Sequence, residues 1–319
     1  GYGVQALVGL FAVLLAGCPG DEPVAPSLNP AVRVFETARR YATGNEPFAV
    51  AVADMNGDGR IDLITADRAD NQVSILHALP EGGFDDPASY PVGDTPTAVA
   101  VADFDDDGWN DFAVTNGGSS DVSVLYGAGG AAYESVEALA LPSGASPLAL
   151  AVADLDGDGR LDIVTADFGI GSVSIARGAG ESFADPTRPL SGDRPRSVAI
   201  ADINGDGHLD IVTANRDTDD LSLLLGNGDA TFAPEERIGM GANPRTVAVA
   251  DLDGDDVLDL VTTNPGAGDV SVRLGVGDGT FEAERRMTVG RDLLPSRGVL
   301  ADGDGDGALD LVTLLFGAG

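Results

Sequence analysis

The sequence predicts an all-β fold, a β-propeller of four-stranded antiparallel blades, and three observations predict it. An acidic nonapeptide recurs six times, starting at residues 54, 103, 154, 202, 251 and 302. A fixed period of this size marks a supersecondary unit that buries its apolar faces only by stacking on its neighbours. Each unit holds short runs of Val, Ala, Leu, Ile and Thr bounded by Gly, Asp, Asn and Pro, the pattern of strands between tight turns. Finally, 44 glycines and 5% aromatics in 319 residues suit many turns joining short elements.

The first run of each unit carries no charge, as in "TVAVA" (246–250), and its small side chains suit the crowded centre of a ring. The acidic loop follows, then a β-branched run such as "DIVTAN" (210–215). A variable polar turn leads to a third run, "LSLLLGNG" (221–228), and a charged run from Phe232 toward Gly239 ends the unit. Four strands, dry at the first and wet at the last, account for that gradient.

The ends suggest how the ring closes. "FETARRYATG" (35–44) aligns without gaps to the outer run "FEAERRMTVG" (281–290), and "VTLLFGAG" (312–319) to "VTADFGIG" (164–171). An N-terminal outer strand is therefore expected to complete a blade begun at the far end. Six repeats are visible. The expectation is six blades, with a segment around Val32 to Val34 replacing the missing third strand, or seven with a truncated C-terminus.

Ahead of this domain, residues 34–319, lie two segments of different composition. Residues 1–18 end in "LVGLFAVLLAGC" (7–18), an apolar run short for a membrane span and closed by small residues before Cys18, the only cysteine. It resembles a bacterial lipoprotein signal, which implies that Cys18 is lipid-modified and that the protein sits in the cell envelope, at the outer membrane or cell surface. A buried apolar segment with an incidental cysteine is the bland alternative, disfavoured because the run occurs once, at the N-terminus, before a proline-rich stretch. The chain starts at Gly1 without Met or a basic stretch, so this signal reads as N-terminally incomplete. Residues 19–33 begin "PGDEPVAPSLNP", the composition of an extended tether.

Net charge limits the partners. With 52 acidic and 18 basic residues the formal charge is −34, so long-range repulsion opposes nucleic acid and anionic membrane surfaces. A membrane contact is expected only through Cys18. One cysteine also rules out an internal disulfide framework or a cysteine-based zinc site.

The acidic loops read D-x-[DN]-x-D-[GD]-x-x-D, from "DMNGDGRID" (54–62) to "DGDGDGALD" (302–310). Oxygen side chains at positions 1, 3, 5 and 9 converge as the backbone curls, and Gly at position 6 permits the bend. Hard oxygen ligands without His or Cys select calcium, about one per repeat and up to six. An acidic surface turn is the bland alternative, but six copies with one spacing need a cation to offset their repulsion. An EF-hand fails because position 12 is Thr65, Val114, Thr165, Thr213, Thr262 or Thr313 rather than Glu, and strand-like runs flank the loop. A tandem nine-residue solenoid period is absent.

The unit, its loop and the turns "GNGDATF" and "GVGDGTF" resemble FG-GAP/VCBS repeats, the blades of integrin-α-type β-propellers, over about residues 33–319. That resemblance implies one Ca2+ per loop, held by side chains at positions 1, 3, 5 and 9 and the backbone carbonyl at position 7. The implied first site is Asp54, Asn56, Asp58 and Asp62 with the carbonyl of Arg60. The second is Asp103, Asp105, Asp107 and Asp111 with Trp109, and the third Asp154, Asp156, Asp158 and Asp162 with Arg160. The fourth is Asp202, Asn204, Asp206 and Asp210 with His208, and the fifth Asp251, Asp253, Asp255 and Asp259 with Val257. The sixth is Asp302, Asp304, Asp306 and Asp310 with Ala308. Asp256 replaces the position-6 glycine of the fifth loop, which puts its occupancy in question.

Catalytic constellations are thin. The only histidines are His77, in a third-strand position, and His208, inside an acidic loop, which leaves little for a Ser-His-Asp device. No carboxylate pair outside the loops stands out, and Trp109 reads as a packing residue rather than a sugar platform. Strand parity puts the turns "DRADN" (67–71), "NGGSSD" (116–121), "DFGIG" (167–171), "NRDTDD" (215–220) and "NPGAGD" (264–269) on the face opposite the loops. These vary between units, as a binding surface on a fixed scaffold does. Arg68, Arg194, Arg196, Arg216 and Arg245 fall there, either solubilising loops and pairing with Asp or meeting an anionic, carboxylate-bearing ligand. The expected function is a monomeric, non-catalytic binding or adhesion module for an extracellular glycan or protein. The competing expectation is a propeller enzyme acting on polysaccharide or another extracellular substrate at the central axis.

Overall fold

The computed structural model describes residues 39–129, 132–180, 182–189, 192–289, 293–302 and 309–317. Cys18, the signal segment, the tether and the sixth loop's Asp304, Asp306 and Ala308 lie outside them.

The described residues form six antiparallel sheets and no helix, one sheet per repeat. The first is β1 (Pro47–Ala53), β2 (Asp62–Asp67), β3 (Gln72–Leu76) and β4 (Ala88–Pro91), paired in chain order. The second repeats it with β5 (Pro96–Ala102), β6 (Asp111–Asn116), β7 (Asp121–Gly127) and β8 (Tyr133–Ala140). The third has β9 (Pro147–Ala153), β10 (Asp162–Asp167) and β11 (Ser172–Ala176). The fourth has β12 (Pro195–Ala201), β13 (Asp210–Asn215), β14 (Asp220–Leu224) and β15 (Glu236–Gly239). The fifth has β16 (Thr246–Ala250), β17 (Asp259–Asn264), β18 (Asp269–Arg273) and β19 (Arg285–Thr288), and the sixth β20 (Leu293–Ala301) and β21 (Asp310–Gly317).

Two sheets depart from the four-strand expectation. In the third, the outer run "DPTRPL" (185–190) carries two prolines, each removing a ladder donor, and pairing shrinks to a single bridge between Ile175 and Thr187. In the sixth, β21 has no third strand beside it among the described residues, and the segment expected to supply one, around Val32 to Val34, lies outside them. Residues 39–46 form no strand. They dock on the first sheet instead: Tyr41 meets Phe84 edge-on at 5.2 Å and the Gly44 N–H donates to Asp67 Oδ2 at 3.1 Å.

The first strand of each sheet packs on the first strand of the next, so β1, β5, β9, β12, β16 and β20 form the inner ring. Arg297 of β20 lies 5.2 Å over the ring of Phe48 in β1, bringing the sixth sheet beside the first. The apolar core is divided among the gaps between sheets. Phe112 and Val114 of β6 pack with Ile64 and Ile75 of the first sheet, while Ala113, between them, packs with Ile163 of the third. Alternation along a strand thus supplies both faces of a blade, which is why β6, β10, β13 and β17 are buried along their whole length.

Candidate metal centres and the opposite face

Each acidic loop joins the first and second strands of its sheet and is tied down by the last acid of its motif. Asp62, Asp111, Asp162, Asp210 and Asp259 are at most 1% exposed. Their Oδ2 atoms accept the N–H of the second loop residue, Met55, Phe104, Leu155, Ile203 or Leu252, at 2.7–2.9 Å. Their Oδ1 atoms accept an N–H from the end of the third strand or just past it, that of Ala78, Gly127, Gly178, Gly226 or Gly275, at 2.6–2.9 Å. One carboxylate therefore pins three segments. The second loop residue is also an apolar anchor, with Met55, Phe104, Leu155 and Ile203 at 3–5% exposure. Sequence reasoning missed both roles, although the apolar residue at that position recurs in the first five loops.

The loop bends twice, not once. Position 4 has a left-handed backbone, at Gly57, Asp106, Gly157, Gly205 and Gly254, and so does position 6, at Gly59, Gly108, Gly159, Gly207 and Asp256. Asp256 adopts φ 67 and its N–H donates to Asp251 Oδ2 at 2.9 Å, the bond that Gly59 makes to Asp54 at 2.7 Å. The fifth loop is therefore shaped like the others. The bends turn successive N–H groups onto the first acid, as Gly57, Asp58 and Gly59 do onto Asp54. The N–H of the position-7 residue donates to the position-5 carboxylate, as in Arg60 to Asp58 and Trp109 to Asp107.

This folding brings carboxylates together. Oxygens of Asp103, Asp105 and Asp111 all lie within 4.8 Å of one another, as do those of Asp154, Asp156 and Asp162 and of Asp251, Asp253 and Asp255. Calcium takes oxygens at about 2.3–2.6 Å, so two of its ligands stand at most about 5 Å apart. The three triads meet that bound. Burial, and then the neighbouring loop acids, push Asp111 and Asp162 up to about 6. A divalent ion would reverse that penalty. In the first and fourth loops Asn56 and Asn204 take the third position and donate to Asp58 and Asp206. Arg60 and Arg160 lean on Asp58 and Asp158 at 2.5 and 3.5 Å from the rim. Of the sixth loop, Asp302 follows β20 and Asp310 opens β21.

The histidines and the tryptophan are built into the scaffold. His77 Nδ1 lies 3.0 Å from Asp62 Oδ2. Trp109 lies across Gly57 and Gly129, where an added Cβ would stand 2.3 and 2.8 Å from its ring, and His208 fills the same kind of space over Gly228. Asn110 Nδ2 donates to the Asp54 carbonyl at 2.8 Å, so neighbouring loops form a continuous face.

A second recurring network was not foreseen. At the end of the second strand stands a fully buried Asp67, Asn116, Asp167, Asn215 or Asn264. Four of the five accept the hydroxyl of the Thr two residues earlier, at 2.7–2.9 Å. Each bonds a third-strand Ser, as Asp67 does Ser74 and Asn116 does Ser123. Its cross-strand neighbour is Gln72, Asp121, Ser172, Asp220 or Asp269. Each pair thus holds one carboxylate, never two, and the Asn of the mixed pairs donates to the Asp. Gly93 and Gly192 then donate into the next sheet's Ser123 and Ser222, linking blade to blade, and Gly44 ties the N-terminal segment to Ser74 in the same way.

On the opposite face the turns after the second strands differ between units, as expected. A shallow groove of about 480 Å³ runs between Gly117 to Asp121 and Ala140 to Ser146. The arginines form two stacks there: Arg194 and Arg196 lie 5.2 and 5.1 Å over Phe168, and Arg68 lies 5.1 Å over Phe48 beside Arg297. Arg297 escaped the sequence reading because a shifted bulge, between Pro295 and Gly298, carries it to this face.

Comparison with known proteins agrees with this architecture. The FG-GAP-like repeat matches four overlapping stretches, residues 54–114, 103–165, 154–213 and 202–262. The chain belongs to the FG-GAP-like repeat family. No curated protein sequence matches it. Among solved structures, this FG-GAP-like chain is similar to a lectin of Agrocybe aegerita that recognises non-reducing terminal N-acetylglucosamine, with 22% identity over 84% of this chain and 74% of that one and a TM-score of 0.59. A putative 6-phosphogluconolactonase from Bacteroides uniformis shares 14% identity over 77% of this chain and 80% of that one, with a TM-score of 0.57. The V. cholerae biofilm matrix protein Bap1 shares 20% identity over 81% of this chain and 41% of that one, with a TM-score of 0.50. At these identities the likeness is one of fold.

Proposed function

We propose that this chain is a calcium-stapled propeller at a bacterial cell surface, anchored by lipid at Cys18, and that it acts as a monomeric, non-catalytic binding module for an extracellular glycan or protein. One observation carries the reading: the acids of the described loops serve the scaffold, the last pinning strands and the first folding its own loop, while the units differ on the face opposite them. Calcium fits as a staple because the triads bring hard oxygens to one point with no His or Cys among them. Each independent site would add about 2.7 kcal/mol at calcium a hundredfold above its dissociation constant. The lectin neighbour lends the binding role fold-level support, and the signal-like "LAGC" (15–18) supports the anchor.

Chelation is expected to lower the thermal midpoint, metal analysis to find about one Ca2+ per loop, and a glycan and protein array with Ca2+ present to give binding without turnover. A midpoint unmoved by chelator, with well under one Ca2+ per chain, overturns the staple. Steady turnover of an arrayed polysaccharide overturns the non-catalytic role.

A further inference from the structure

In a chain of net charge −34, three arginines share the mouth of the inner ring away from the acidic loops. Arg196 is the second residue of β12, Arg297 lies midway along β20 at its bulge, and Arg245 immediately precedes β16. Among the described residues no acid forms an ion pair with any of the three. The nearby Asp217 is taken by Arg194 at 3.4 Å and Arg216 at 3.6 Å. Arg196 Nε is buried without a hydrogen-bond partner. Burial depresses all three guanidinium groups, Arg196 to about 10, and the neighbouring arginines depress them further.

Packing does not require this arrangement. At the place of Arg196 and Arg245 the second and third units hold Thr97 and Leu148, and their sheets form equally well. A desolvated, unpaired guanidinium is unfavourable, and a cluster of them more so, unless an anion completes it. Arginine is also the side chain whose fork matches carboxylate and sulfate oxygens.

We propose that Arg196, Arg245 and Arg297 form a binding site for a compact oxyanion, a carboxylate or sulfate group that enters the ring from the face opposite the acidic loops. A compact group is favoured over an extended polyanion because the rest of the molecule repels one. The site rests on the reading of that face as the ligand face, and supplies its chemistry. The carrier is either a small free acid or the acidic end of a glycan.

The test uses the calcium-loaded chain in thermal shift and calorimetry. Sulfate and glucuronate are expected to raise the midpoint above sodium chloride at equal ionic strength, with glucose inert. In Arg196→Leu combined with Arg245→Leu, affinity is expected to fall at least tenfold, while the variant's midpoint without anion stays level or rises. Tighter binding of a uronate-ended oligosaccharide than of glucuronate assigns the glycan source, and equal binding the free acid. No anion-specific shift in the parent, or an undiminished shift in the variant, overturns the site. A lower midpoint of the anion-free variant makes the arginines structural and overturns it too. Glycan binding indifferent to these anions and substitutions would leave the binding-module reading standing while this site fails.

Discussion

Asn116 Oδ1 is buried without a hydrogen-bond donor, whereas Asn215 and Asn264 receive a threonine hydroxyl at 2.9 Å. The donor is missing because the residue two before Asn116 is Val114, fully buried. Val114→Thr is expected to stabilise the protein by about 1 kcal/mol, since it supplies a donor to an acceptor already desolvated. An unchanged or lower midpoint in chemical or thermal unfolding would refute this. The odd valine was legible in the repeat, which has Thr in that column five times of six. Its consequence was not, because the buried Asx that needs the hydroxyl stands out only once the strand register is known. Asp167 gives a second case at this scale. Burial raises its pKa despite hydroxyls from Ser174, Thr165 and Ser172. With the folded value above the unfolded one, the folded state favours the protonated form, so its stability is greatest below the ordinary carboxylate range and declines as pH rises through and above it. Asp167→Asn, the residue three other units use, is expected to raise the midpoint at pH 7 and to lose the gain toward pH 4. A midpoint gap independent of pH would contradict it.

Within one loop the acids divide their labour, and substitutions separate the parts. Asp162 accepts the N–H groups of Leu155 and Gly178 as well as facing the triad, while Asp156 chiefly faces the triad, with Arg177 at 3.5 Å. Asp162→Ala removes a buried acceptor from two donors and is expected to destabilise by about 2–4 kcal/mol with or without calcium. Asp156→Ala is expected to lower the midpoint only when calcium is present, and to match or exceed the parent in chelator because a like charge is gone. Equal losses in both conditions for Asp156→Ala would show that the triad holds no ion. The spacing of oxygens at positions 1, 3, 5 and 9 was readable from sequence, but the clamp was not. It depends on the third strand returning its backbone to position 9, a contact 16 residues away.

For the whole molecule, the sixfold period foretold the sheets, and in the third sheet local chemistry overrides the repeat, because the prolines of the outer run remove ladder donors. The dominant global term is charge. A net −34 opposes compaction, and six divalent ions would cancel twelve of those charges at the loops themselves, where the repulsion is greatest. Salt screens the same repulsion less selectively, with a Debye length of about 10 Å at 0.1 M. The two remedies should therefore substitute for one another. Raising sodium chloride from about 0.01 M to about 0.5 M is expected to raise the midpoint by several degrees in chelator and by much less in saturating calcium, since screening then acts on a smaller residual charge. Parallel salt dependences in the two conditions would mean that ions at the loops do not relieve the self-repulsion, and that the acidic repeat owes its stability to its backbone hydrogen bonds alone.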